Sequence, residues 1–232
     1  MQRLSLPEPL QHKVQVHLLT LDLQAPLADA DWQLLDDGER RRAQAFWRHA
    51  DRLRFAATRA ALRRLLGQAC GRDPRSLCFE AGPHGKPQLQ GAGVATPAFN
   101  VAHAGRHALL ALGHVDCLGV DIECCDAVAD WTELAPQLLS PRERLQDPLA
   151  RPTLPATWAT KEAVLKAVGL GIGEHLGACS VLAAPAHAAS PYELELPPHW
   201  PALSAWPLPV PHGHVAALAA SPSFPLMLQD AA

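Results

Sequence analysis

Aromatic residues are scarce in this chain of 232: six tryptophans, five phenylalanines and one tyrosine, 5% of the total. That supply suits poorly a nucleic-acid surface, which stacks bases between aromatic and basic side chains. No apolar run approaches the roughly 18 uninterrupted residues of a membrane-crossing helix. No Gly-x-x-x-x-Gly-Lys-Ser/Thr or Gly-x-Gly-x-x-Gly stretch occurs, so neither a P-loop nor a dinucleotide fold is indicated. A Gly-x-Ser-x-Gly nucleophile elbow is also missing. The six cysteines contain no C-x-x-C pair, and the adjacent Cys124 and Cys125 suit neither a relaxed disulfide nor a zinc site. Pro7, Glu8, Pro9 and His12 stand where an export signal would carry its apolar run. No such signal is expected, and the cysteines read as free thiols of a reducing, cytoplasmic compartment. His212-x-His214 has no third metal ligand nearby in the sequence.

What is present is a core and an uneven charge. At 48% hydrophobic and 19% charged, the chain can bury a substantial interior, and its length suits one large domain or two small ones. The net charge is only −3, but residues 39–64 hold nine arginines against two acids, a local +7, leaving −10 for the rest. Such a block is either a solvated helix face or a seat for something anionic. A basic nucleic-acid-binding module is a further alternative.

The pattern along the chain predicts a strand at 14–21, helices over 31–68 with a break near 49–51, and Asp51 as cap of the second. Residues 82–87 and 90–97 read as loop and linker. Short strands are expected at 78–80, 98–101, 108–112 and 118–123. Ser140-Pro141-Arg142-Glu143 has the chemistry of a capped helix start. A helix over 153–168 should end at Gly169, with strands at 178–182, 192–196, 202–206 and 215–219. Strand, helices and strands thus occur twice, predicting an α+β fold of two similar halves, residues 1–113 and 114–232, without detectable self-similarity in sequence.

Four segments could carry chemistry. In Gly119-Val120-Asp121-Ile122-Glu123 a strand would point Asp121 and Glu123 the same way. Their repulsion calls for a cation, a shared proton or a basic neighbour, and Mg²⁺ answers it with oxygen ligands; the alternative is an exposed acidic edge. In the helix from Trp158 to Gly169, Glu162 and Lys166 share a face, either as an ordinary surface pair or as a third carboxylate and a phosphate partner. Gly85-Lys86-Pro87 offers a lysine in a stiff loop. Phe99-Asn100-Val101-Ala102-His103-Ala104 ends a strand on a histidine, where backbone N–H groups could face an anion.

Taken in this order, from Glu39 to Ile172, these segments resemble the long, surfactin-synthetase-associated class of 4′-phosphopantetheinyl transferases. The resemblance implies a pseudo-dimer of two α+β halves with the active site in the cleft between them. It implies a monomer, coenzyme A as co-substrate, an apo acyl- or peptidyl-carrier protein as partner, and neither nucleic acid nor membrane. The product would be adenosine 3′,5′-bisphosphate. By position, Asp121, Glu123 and Glu162 would ligate Mg²⁺, with Glu162 also the base for the acceptor serine. Lys166 and His103 would meet phosphates. Lys86, Pro87, Ala102 and Lys161 would lie among the coenzyme A contacts, and Arg54, with Arg42, would bind the 3′-phosphate. A non-catalytic relative that binds coenzyme A or the carrier is the alternative. The family usually has Ser-His-Ser where this chain has Ala102-His103-Ala104. On one continuous helix Arg48, Arg52, Arg59 and Arg63 would share a face, which reads as solvated surface, with Arg54 on another side.

Overall fold

The structure is a computed structural model, and it describes residues 1–82, 86–91, 96–126, 130–149, 151–171, 173–184 and 192–221. Parts of the expected loops at 82–87 and 90–97, including Gly85, lie outside these residues. The first half runs β1 (Gln2–Arg3), α1 (Glu8–Gln11), β2 (Val14–Thr20), α2 (Asp29–Trp32), α3 (Asp37–Ala45), α4 (His49–Cys70), β3 (Phe79–Ala81), β4 (Pro87–Leu89), β5 (Ala98–Ala104) and β6 (His107–Gly113). The second runs β7 (Leu118–Cys124), α5 (Trp131–Leu138), α6 (Pro141–Arg144), α7 (Leu154–Val168), β8 (Ser180–Ala183), β9 (Tyr192–Glu195), β10 (Ser204–Pro207) and β11 (His214–Ala220).

The two halves share a topology that their sequences do not display. In the first, the opening strand β2 pairs antiparallel with the last, β6, which pairs with β5. In the second, β7 pairs with β11, which pairs with β10. Each half inserts one long helix, α4 or α7, after its opening strand. A small hairpin, β3–β4 or β8–β9, follows the helix. A single apolar core joins the halves: Val16, Ala102 and Leu109 pack in the same cluster as Val120, Ile122 and Leu218. The Val120 N–H donates to Asn100 Oδ1 at 2.9 Å, a buried bond from β7 to β5.

The helix ends follow local chemistry. Asp36 accepts from the Glu39 N–H while Glu39 accepts from the Asp36 N–H, a capping box that starts α3. Ser140 and Glu143 form the same box at α6. The break falls at Phe46–Arg48, and Arg48, without a side-chain bond, is the N-cap of α4. Asp51 lies inside the first turn instead, where its charge still favours the helix N-terminus. Gly71 and Gly169 end α4 and α7 in the left-handed region. Nine of the fifteen residues of α7 are buried, so it runs through the second half as a core element. All six cysteines are free thiols, and no described helix is long and apolar enough to cross a membrane.

Candidate active site

Strand β7 and helix α7 build the acidic centre. Alternation along β7 buries Val120 and Ile122 in the shared core and turns Asp121 and Glu123 to the other face, against α7. From α7, Glu162 meets them: ligand oxygens of Asp121, Glu123 and Glu162 all lie within 4.8 Å of one another. Asp121 and Glu162 are buried and Glu123 is half-buried.

The sequence permits this approach through Gly119. A Cβ there would collide with the Ala163 carbonyl oxygen and come within 2.5 Å of the Ala167 amide nitrogen, so strand and helix touch backbone to backbone. The small Ala163 and Ala167 complete the contact from the helix side.

Helix α7 addresses all three carboxylates from consecutive turns. Lys166 Nζ donates to Asp121 Oδ1 at 2.5 Å and lies 3.4 Å from Glu162 Oε2. The Trp158 Nε1–H donates to Glu123 Oε1 at 3.1 Å. Asp121 Oδ2 is buried without a hydrogen-bond partner. Burial, with the charges of Glu162 and Glu123, outweighs Lys166 and pushes the Asp121 pKa up to about 8. Burial and then Glu162 also raise Glu123. For Lys166, burial acts downward, but Asp121 and Glu162 outweigh it and raise its pKa, so the lysine stays charged. Three carboxylates against one lysine leave a deficit that a hard divalent cation fits, and the orphaned Asp121 oxygen is a ligand without other employment.

A groove of about 280 Å³ is lined among others by Arg42, Phe55, Arg54, Pro87 and His103. Four of the expected coenzyme A contacts are therefore neighbours. Arg54 is held by Asp51 at 2.6 Å and by the Gly105 carbonyl at 2.8 Å. The Arg42 guanidinium lies 5.0 Å from the Phe55 ring centroid. His103 is exposed on the groove wall; desolvation, then the charges of Arg54 and Lys166, lower its pKa, so it is neutral at pH 7. The Lys166 charge on His103 links groove and acidic centre.

Other expected contacts fall elsewhere. Ala102 is buried in the shared core and Ala104 packs against that core, so neither side chain faces the groove. Alanine in place of the usual serines thus removes no hydroxyl from its wall. Lys86 Nζ donates to the carbonyls of Lys166 (2.7 Å) and Leu118 (3.2 Å), tying the first half to the end of α7 and the start of β7. Lys161 is fully buried on the far side of α7, so the coenzyme A contact expected of it is corrected. Its Nζ donates to Leu138 O, Glu143 Oε2 and Leu176 O at 2.7, 2.7 and 2.8 Å, filling all three donors. Glu143 is held further by the Ser140 and Val181 N–H groups. Lys161→Met should therefore lower stability by about 3–5 kcal/mol by stranding a buried carboxylate, read from urea midpoints; a loss below about 1 kcal/mol would deny that role.

The arginine block is also corrected. Arg63 is fully buried, bonded to Glu39, Asp36 and the Pro74 and Leu77 carbonyls. Arg59 pairs with Glu39 and lies over Phe79. The Arg59 and Arg63 part of that face is a polar core under α3 and β3, whereas Arg48 is exposed. Acids just outside the counted block, Asp31, Asp36 and Asp37, neutralise Arg64, Arg63 and Arg40.

Comparisons with known proteins agree on one family. Residues 117–219 match the 4′-phosphopantetheinyl transferase superfamily, and residues 28–114 match the N-terminal domain of 4′-phosphopantetheinyl transferase. The chain is 34% identical over 172 residues to a putative 4′-phosphopantetheinyl transferase of Synechocystis sp., covering 72% of this chain and 67% of that protein. It is 32% identical over 202 residues to the 4′-phosphopantetheinyl transferase HetI of Nostoc sp., covering 83% of each. A phosphopantetheinyl transferase of Thraustochytrium sp. is 30% identical over 156 residues, 60% of this chain and 54% of that one.

Proposed function

Since this chain belongs to the 4′-phosphopantetheinyl transferase superfamily, we propose that it moves the phosphopantetheine arm of coenzyme A to a serine of an apo acyl- or peptidyl-carrier protein, with Mg²⁺ bound. The observation that carries this reading is the acidic trio of Asp121, Glu123 and Glu162, supported by a groove lined by Arg42, Arg54 and His103. The same trio, with its orphaned oxygen, disfavours a non-catalytic relative.

The serine oxygen forms a bond to the phosphorus that carries the pantetheine arm. The bond from that phosphorus to the bridging pyrophosphate oxygen breaks, and adenosine 3′,5′-bisphosphate leaves with the electron pair. Glu162 takes the serine proton, which requires its carboxylate to stand at the reacting phosphate. Asp121, Glu123 and Glu162 would hold Mg²⁺, which supplies polarisation of the pyrophosphate. Lys166, between two of these carboxylates, pairs with phosphate oxygens at the same place, and His103 donates from the groove wall. Arg54 is pre-oriented by Asp51 and Gly105, and Arg42 by Phe55, so both present fixed cations to the 3′-phosphate. Pro87 shapes the groove. Lys86 acts from behind, by fixing α7 against β7.

This reading includes a division into residues 1–113 and 114–232, supported by the repeated topology and by family matches on either side of that point. It also includes a monomer, since both halves contribute to one core, working in the cytoplasm, where its free thiols persist. Mixing the protein with coenzyme A, Mg²⁺ and a panel of apo-carrier proteins should add the mass of one arm to a carrier, and chelation should stop it. Folded protein that modifies no carrier in the panel would overturn the proposal.

A further inference from the structure

The acidic centre has an asymmetry that the ligand set does not explain. Each carboxylate on β7 has one oxygen engaged by α7: Lys166 takes Asp121 Oδ1 and Trp158 takes Glu123 Oε1. Between them on the helix stands Glu162. Residues 158, 162 and 166 are four apart, so they share one face of α7. One side of one helix thus supplies a ligand and a clamp for each of the other two.

We propose that Trp158 is a positioning residue, whose indole N–H fixes Glu123 so that its second oxygen is presented to the divalent cation, with Trp131 as its buttress. This rests on the metal site of the function proposed above. An indole suits this role because it donates only and does not titrate, so the oxygen it takes is always an acceptor. The neighbouring Glu162 carboxylate would otherwise favour rotation of Glu123 toward solvent. Trp158 is itself held. Trp131 from α5 packs edge-on against it, with ring centroids 6.0 Å apart and planes at 67°. The Trp131 N–H donates to the Cys125 carbonyl at 2.9 Å, and the Cys125 N–H donates to the Gly213 carbonyl at 2.8 Å. The backbone just beyond Glu123 is therefore tied to the same pair of rings that holds its side chain. A tryptophan needed only for packing would not have to direct its one polar atom at a ligand carboxylate.

The test is Mn²⁺ affinity of the full chain with coenzyme A present, read from the electron paramagnetic resonance signal of free Mn²⁺. Trp158→Phe keeps the ring contact and removes the donor. Its Mn²⁺ Kd should rise about tenfold or more, as for other groups that orient metal ligands. Its melting temperature should stay within a few degrees, and its kcat at saturating Mn²⁺ should fall less than its metal affinity does. Trp131→Phe should raise the Kd by about threefold and decides the matter if the first variant does not fold. Mn²⁺ should also perturb an indole absorption band in the natural chain, and that change should vanish in Trp158→Phe. A Kd within about twofold of the natural chain in either folded variant overturns the inference alone. A natural chain that binds no Mn²⁺ overturns both the inference and the metal reading.

Discussion

The Asp121→Asn variant is expected to lose transfer by about 10³-fold or more while keeping its fold. The substitution removes a negative charge and one anionic oxygen from a centre where Asp121 Oδ2 has no protein partner. Glu123 and Glu162 then remain, and Lys166 keeps only its contact with Glu162. Stability without divalent ions should not fall. Burial raises the Asp121 pKa to about 8 from the ordinary 3.8, so the ionised form is costly to fold. Between those values the folded state holds a proton that the unfolded state has released, and stability falls as pH rises. Asparagine does not ionise and so removes that cost, while Lys166 keeps its Glu162 contact. Urea midpoints without divalent ions or coenzyme A should show the variant at least as stable as the natural chain at pH 7. The natural chain should lose more stability than the variant between pH 4 and pH 8. Transfer within about tenfold of the natural rate would remove Asp121 from the metal site.

The part of this site legible in the sequence is the part governed by strand and helix periodicity. Period two on β7 places Asp121 with Glu123, and period four on α7 places Glu162 with Lys166. Nothing in those periods says which way a helix faces its strand. Lys161, only one residue from Glu162 and placed at coenzyme A by the family resemblance, lies instead in a buried ion pair with Glu143. The role of Trp158 is hidden in the sequence because its one polar atom finds its partner 35 positions away. Gly119 is visible as the first letter of its motif, but its purpose depends on a backbone contact with α7 that no local pattern encodes.

The arginine block shows the same limit in electrostatic form. A count over residues 39–64 gives +7, yet α2 and the start of α3 carry the compensating acids. What remains without an ion pair among the described residues includes Arg42, in the groove, and the exposed Arg41 and Arg48. Of the nine arginines, Arg42, Arg54 and Arg59 line the groove, with Arg54 paired to Asp51 and Arg59 to Glu39. The repeated topology is hidden for a different reason. Two halves can share strand order while differing in every loop, because pairing order depends on burial pattern and chirality rather than residue identity.

Among the described glycines, Gly119→Ala should be the most damaging substitution by alanine. The new Cβ would meet the Ala163 carbonyl and the Ala167 amide, which are backbone atoms of a helix pinned on its other side by Lys161. No side chain can rotate to make room, so strand and helix must separate, or the variant must fold without this contact. Overpacking in a core usually costs about 1–3 kcal/mol; against rigid backbone the cost here should exceed about 4 kcal/mol. Soluble yield and melting temperature check this, and a melting temperature within a few degrees of the natural chain would refute the backbone contact. Any folded fraction should also be a poor transferase. Pushing α7 away moves Trp158, Glu162 and Lys166 together, and a displacement of about 1 Å at a reacting centre can cost about 10²-fold. Gly119 therefore governs the site without touching substrate: the distance it permits between β7 and α7 is what lets one helix face reach three carboxylates.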